Sequence, residues 1–261
     1  MSTLTFTDDM ARIQRAVSQC RDIVLRYSQM LEALQLRRGE RVLEIGCGGG
    51  FLTSEVAQCV GPTGEVRAID ISADQIAAAQ HRCAELTWVT CEVADTRSLP
   101  YADGTCDLVY GHQVFEYVTP LETALSEVHR VLRPGGRCTI VATDWNTAVW
   151  HSAHPDRMQR VLTAWAAHSP TPNLPSILGA QLRQAGLEPL RQTPIPMLNR
   201  SYHGHSFSYW VARLIQAFVV GRQVITAVEA EAWLQEFDEL EQQGAYFFCS
   251  MPILTEAVKV A

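Results

Sequence analysis

Val42, Leu43 and Ile45 are bulky and apolar, and their run breaks at once into Gly46-Cys47-Gly48-Gly49-Gly50. Such a run reads as a buried strand feeding a tight turn. Leu52, Val56 and Val60 then recur at steps of four, so a helix starts directly after the turn. Strand, glycine turn and helix are the parts of a nucleotide-binding crossover, in which backbone comes close to a ligand because no Cβ intervenes.

A dinucleotide turn places glycines one, three and six residues along, the last of them small so that helix and strand pack. Gly46 and Gly48 fit that spacing, but the sixth position is Phe51. Glu44, two residues before the first glycine, would repel a pyrophosphate and attract a ligand carrying an amino cation. Acid, spacer and alternate glycines resemble motif I of the class I S-adenosylmethionine (SAM) methyltransferases. SAM carries an ammonium and a sulfonium and no phosphate.

The resemblance extends over residues 42 to 143. Glu65 to Asp70 reads as a second strand, and Asp70 closes it twenty residues after Gly50, where a carboxylate accepts from ribose hydroxyls. Ser72 and Gln75 form a capping box that launches the next helix. Leu86 to Cys91 reads as a third strand, and Asp95 matches the family position that recognises adenine. Cys106 to Tyr110 reads as a fourth strand, followed by Gly111-His112-Gln113-Val114-Phe115-Glu116-Tyr117-Val118, which in the family lies between SAM and the acceptor. Thr119 to Glu122 reads as a capping box with proline at the first helical position. Arg130-Val131-Leu132-Arg133-Pro134-Gly135-Gly136-Arg137 then reads as a helix stop and reversal into a fifth strand, Cys138 to Thr143. The cofactor set that the resemblance implies is Tyr27, Glu44, Gly46, Cys47, Gly48, Asp70, Ile71, Gln75, Ala94, Asp95, Gly111 and His112. Arg26 or Tyr27 would reach the cofactor's carboxylate end.

The implied fold is an α/β, doubly wound, mostly parallel seven-stranded sheet with helical lid insertions. Residues 1–40 make an N-terminal helical cap, one amphipathic helix or two, carrying Ile13, Val17, Cys20, Val24, Tyr27, Leu31 and Leu34. The SAM-binding core runs over 41–197, with a lid insertion at 145–175. A helical substrate cap occupies 198–243, and 244–261 supplies the final strand, Ile253 to Val260. Leu187 to Met197 reads as a sixth strand, confined to an edge by Pro189, Pro194 and Pro196.

Composition bounds the partners. The chain has 261 residues and a formal charge of −7, and Lys259 is its one lysine among 21 basic residues. No basic run exceeds Arg37-Arg38, which disfavours nucleic acid. No run approaches the roughly eighteen apolar residues of a membrane span, and Met1 to Asp9 is acidic and lacks the basic start of a signal peptide. The expectation is a soluble cytoplasmic protein, monomer or homodimer. The eight cysteines form no C-x-x-C pair, so they read as small buried hydrophobes, and no metal is expected.

The lid stretches are rich in aromatic residues: Trp150, His151, His154, Trp165 and His168 in the first, Tyr202, His203, His205, Trp233 and Phe237 in the second. They suit an apolar, planar small-molecule acceptor. Methyl transfer to an alcohol or an activated carbon needs a base within hydrogen-bond reach. The candidates are His112, Tyr117, Asp144, His151 and His154. Tyr117 and Asp144 stand where related small-molecule O-methyltransferases place a histidine and an aspartate, and a neutral tyrosine is a poor base at pH 7. His151 and His154 have the more suitable intrinsic pKa. The favoured arrangement has His112 and Tyr117 lining the site, with His151 or His154 as base. The expected reaction is methyl transfer from SAM, leaving S-adenosylhomocysteine, to oxygen or carbon of a quinone-like or secondary-metabolite acceptor. The alternatives are a SAM-site enzyme with other chemistry, such as cyclisation, and a non-catalytic ligand-binding relative.

Overall fold

The structure is a computed structural model, and it describes residues 8–260. Most of the acidic stretch from Met1 to Asp9 lies outside the described residues. Two helices open the chain, α1 (Asp8–Ser18) and α2 (Arg21–Leu34), parted at Cys20. The core then alternates: β1 (Arg41–Ile45), α3 (Phe51–Val60), β2 (Glu65–Asp70), α4 (Ala73–Arg82), β3 (Val89–Val93), β4 (Cys106–His112), α5 (Leu121–Val131) and β5 (Leu132–Trp150). After it come α6 (Pro155–Trp165), α7 (Leu174–Gln184), β6 (Leu187–Pro194), β7 (Met197–Asn199), α8 (Phe207–Val219), α9 (Ala227–Gln242) and β8 (Phe248–Lys259).

The sheet runs in the order β3-β2-β1-β4-β5-β8-β6, with β7 also paired to β8. The pairs from β3 to β5 are parallel, and every pair involving β8 is antiparallel. Eight strands stand where seven were expected. Pro194 and Pro196 interrupt the edge strand, and its continuation, β7, pairs with the same partner.

Alternation along β1 sorts the core. Leu43 and Ile45 pack with α5 and α7 on one face, and Val42 packs with α2 and α3 on the other. A separate aromatic cluster joins α6, α8 and α9 around Trp150, Trp165, Trp233 and Phe237.

Several local expectations shift. The third strand starts at Val89, after Trp88 has turned its indole N–H to the Ala57 carbonyl (2.9 Å). Thr119 does not cap α5; its carbonyl instead accepts from Arg97 (2.7 Å), and the side chain of the cap residue, Pro120, can accept no bond. Ser72 and Thr226 do cap α4 and α9, accepting from Gln75 and Glu229. The expected first lid begins later than residue 145, because β5 continues to Trp150. A bulge between Asp144 and Val149 is followed by pairing with Cys249 and Phe248. The last strand correspondingly begins at Phe248 rather than Ile253.

The arginine-rich run is structural. Arg130 pairs with Glu127 and Asp103, Arg133 with Asp107, and Arg137 with Glu40. These contacts bind the reversal to the amino-terminal edge of the sheet, away from the strand ends described next. All eight cysteines are free and six are buried, while Cys59 is exposed.

Candidate functional site

Strand order reverses between β1 and β4, so the loops after them leave in opposite directions and open a crevice at the carboxyl edge. The turn 46–50 forms its floor. The amides of Gly46 and Cys47 both donate to the Ile69 carbonyl (2.8 and 2.9 Å), which pins the turn to β2. Gly46 has φ 72°, and a Cβ there would stand 2.6 Å from a Val114 methyl. Gly50 has φ 76°, and its Cβ would meet the Ala79 backbone of α4 at 2.9 Å. The close helix contact is thus made at Gly50, one residue before Phe51. The Phe51 ring lies under the Arg82 guanidinium at 3.4 Å.

Asp70 closes β2 with one carboxylate oxygen accepting from Gly48 N–H and the other from Ser72 N–H, both at 2.9 Å. Two backbone donors hold the group, and burial still raises its pKa. Each oxygen keeps a lone pair for a further donor. Beside it, Ile71 is 73% exposed and Val93, at the end of β3, is 54% exposed. Two apolar side chains left open at adjacent strand ends make a surface that a flat ring would cover. Ala94 N–H bonds the Asp70 carbonyl (3.2 Å). Asp95 is held by Arg97 through both its oxygens (3.0 Å each from Nε), so an exocyclic amine would share that carboxylate with a guanidinium. Gln75 is buried and accepts from Arg15 of α1 (3.4 Å), which lays α1 beside the glycine turn.

Glu44 lies on the α3 face of β1, 3% exposed, with the Thr53 hydroxyl donating to it. Burial pushes its carboxyl up to about 8. Across the crevice, α2 contributes Arg26 and Tyr27. The Tyr27 ring meets His112 edge-on at 5.5 Å, and Arg26 Nη1 lies 3.2 Å from His112 Nε2. Gly111 and His112 close β4 beside Ile140 and Val141. Burial, then the Arg26 charge, holds His112 well below its usual pKa, so its ring is neutral.

Gln113, at φ 58°, is held in a conformation that disfavours a side chain. Its amide, with oxygen toward Arg26 (3.2 Å) and nitrogen toward Glu116 (2.8 Å), links the two. Glu116 is buried and pushed up to about 8 by desolvation, so at neutral pH it largely leaves the Arg26 charge uncompensated. Arg26 also meets the Met197 sulfur and lies over the Phe207 ring (5.6 Å), and its Nε has no hydrogen-bond partner. A buried cation so placed favours an anionic ligand group.

The five candidate bases do not come together. His112 faces Arg26. Tyr117 is packed in the lid cluster, with its phenol held protonated by burial. Asp144 accepts from Asn146 N–H (3.0 Å) and so caps the β5 bulge. His151 and His154 are exposed. His151 lines an open pocket of about 580 Å³ with Val149, Met158, Gln159 and Phe247. Trp150, beside it, pairs with Phe248, four residues along β8 from Pro252, the partner of Thr143, so the pocket stands roughly 13 Å beyond that point of the sheet. His151→Ala and His154→Ala are each expected to leave methyl transfer within about twofold of the parent. A tenfold loss of turnover in either variant would return it to the site.

The residue that sequence reasoning passed over is His168. It is fully buried, stacked on Trp165 (3.9 Å, interplanar angle 4°) and edge-on to Trp145 (5.1 Å) and Tyr117 (5.7 Å). The stretch was recognisable as aromatic-rich, but no spacing marks which histidine turns inward. Arg26 is named with Tyr27 for the cofactor's carboxylate end on the resemblance alone, and no spacing shows that it is buried.

Residues 43–140 match the profile of a family described as a methyltransferase domain. An uncharacterised 37.1 kDa transposon protein of Streptomyces fradiae is 35% identical over 162 residues, covering 62% of this chain and 46% of that protein. Demethylmenaquinone methyltransferase of Staphylococcus aureus is 31% identical over 119 residues, covering 46% of this chain and 49% of the enzyme. The chain therefore spans about half the length of these curated relatives. Among solved structures, the [4+2]-cyclase SpnF superposes with a TM-score of 0.60 at 23% identity, covering 91% of this chain and 80% of that one. Geranyl diphosphate methyltransferase, solved with GPP and sinefungin, gives 0.58 at 20% identity, covering 91% and 79%. At these identities the structures establish the fold.

Proposed function

We propose that residues 43–140, which match a methyltransferase-domain profile, bind SAM, and that the chain moves a methyl group from it to oxygen or carbon of an apolar, aromatic small molecule. The observation that carries this reading is the convergence at one crevice of a buried acid, Glu44, a glycine turn, and Asp70 with open apolar surface beside it. Bound there, SAM would supply an electrophilic methyl group and leave as S-adenosylhomocysteine.

Each part of the cofactor has a residue suited to it. Asp70 would accept from the ribose hydroxyls while keeping its two backbone donors. Ile71 and Val93 would flank adenine, with Ala94 and Asp95 at its polar edge. Glu44 would face the amino group and Arg26 the carboxylate, with Tyr27 closing over both. His112 would line the crevice as a neutral ring, because its lone pair is engaged by Arg26.

The lid supports an apolar acceptor. α6, α8 and α9 enclose aromatic side chains, and two of the similar proteins are named as methyltransferases of demethylmenaquinone and geranyl diphosphate. Cyclisation in a SAM site is the second reading, because SpnF has the same fold. Methyl transfer predicts that S-adenosylhomocysteine accumulates with acceptor, and cyclisation predicts that SAM is recovered unchanged.

Calorimetric titration with SAM, S-adenosylhomocysteine and NADH tests the cofactor assignment. Binding of the first two without the third is expected. In Asp70→Ala the lost ribose bonds should weaken SAM binding by roughly 1.5–3 kcal/mol. Unchanged affinity in that variant, or clear NADH binding, would overturn the assignment.

A further inference from the structure

We propose that His168 is the group that binds the acceptor's hydroxyl and receives its proton, which makes the chain an O-methyltransferase of flat hydroxyaryl ketones or hydroxyquinones. This rests on the methyltransferase reading above and adds the acceptor atom and the base to it.

His168 Nδ1 lies 2.7 Å from the Trp165 carbonyl, which can only accept. Nδ1 therefore carries the proton, and Nε2 presents a bare lone pair. That Nε2 is buried and has no partner. Desolvation lowers the ring to about 4, so it is neutral and its lone pair is open throughout the neutral range. The indole N–H groups of Trp145 and Trp165, both in ring contact with His168, are likewise buried and unpaired. Buried polar groups are almost always satisfied. Here one acceptor and two donors stay unsatisfied on three rings that touch one another. A hydroxyl can donate to the imidazole, and a nearby carbonyl oxygen can accept from an indole.

The cluster adjoins the cofactor crevice. Its Tyr117 belongs to the segment after β4 whose Val114 presses on Gly46, and Trp145 directly follows the β5 end that pairs with β8 at Asp144. In this state the side chains close over His168, so the acceptor must displace them on arriving.

The transfer balances without a further reagent. As the acceptor oxygen's lone pair forms its bond to the methyl carbon, the carbon–sulfur pair leaves on sulfur and neutralises the sulfonium. The O–H becomes strongly acidic as its oxygen is alkylated, so even a weakly basic imidazole takes the proton. The imidazolium then returns it to solvent.

The test uses the full chain saturated with S-adenosylhomocysteine and two probes, the planar ketone 2-hydroxyfluorenone and its methyl ether. Wild type is expected to bind the hydroxy probe more tightly than the ether. His168→Phe, which preserves the stacking, should weaken the hydroxy probe about tenfold and leave the ether and S-adenosylhomocysteine unchanged. His168→Gln, which keeps an acceptor atom, should recover most of that binding while turnover with SAM stays low. Equal losses for both probes, no loss in either variant, or binding of neither probe to wild type would overturn the proposal. Failure of S-adenosylhomocysteine to bind wild type would instead overturn the methyltransferase reading.

Discussion

Gly46→Ala is expected to destabilise the protein by about 2–4 kcal/mol and to weaken SAM binding at least tenfold. Two costs add. The left-handed φ of 72° disfavours any Cβ by roughly 1–2 kcal/mol. The new methyl would also stand 2.6 Å from one Val114 methyl and 2.7 Å from Val114 Cβ, well inside contact distance. Relief requires moving either the turn that forms the crevice floor or the segment that carries His112, Glu116 and Tyr117. The damage therefore reaches both the cofactor and the acceptor half of the site. Gly49→Ala is the control, because its nearest neighbours would lie at an ordinary 3.5–3.6 Å and its φ is not left-handed. Chemical denaturation and calorimetry on the two variants check this. Equal effects at both positions would show that the turn yields and that Val114 is not fixed against it.

SAM affinity is expected to rise with pH between about 6 and 8, by up to roughly one decade per unit. In the free protein Glu44 holds its proton up to about 8 because it is buried. A cationic amine placed beside it favours the carboxylate, so binding releases a proton wherever the free protein still carries one. The gain flattens near pH 8, where an α-amino group itself loses its charge at about 7.7–8.0. Titrations in buffers of different ionisation enthalpy measure the released proton directly. Glu44→Gln, isosteric with the protonated acid, should bind SAM more weakly and with little pH dependence. The same slope in that variant would assign the proton elsewhere.

Stability of the free protein moves the opposite way. An unfolded glutamate titrates at about 4.3 and the folded Glu44 near 8. Between those values the native state holds a proton that the unfolded chain has lost, so stability is highest below the lower value and declines as pH rises toward 8. Glu116, also pushed up to about 8, contributes with the same sign.

The fold's central half was legible because its signals are local. A short strand with three bulky apolar residues, glycines at alternate positions and an acid at the next strand's end each depend on neighbours within a few residues, and together they fix the parallel core and the Glu44–Asp70 crevice. The expected helices after Ser72 and Thr226 follow from the same short-range chemistry. The length of β5 was not legible. Nothing in Trp145 to Trp150 marks a strand, and those residues extend because Cys249 and Phe248 of β8 supply a partner edge.

Titration behaviour belongs to the tertiary structure alone. The sequence favoured His151 and His154 for their intrinsic pKa, but both are exposed at the far end of the β5 arm. His112 is neutral because packing buries it and, second, because α2 brings Arg26 against it, and His168 has a free Nε2 because the Trp165 carbonyl fixes its other nitrogen. The sequence by itself determined the strand–turn–helix frame, since it follows from residue type at short spacing. Which side chains are stripped of water, and which charges they then face, depends on packing between segments far apart in the chain. Only the tertiary structure decided that.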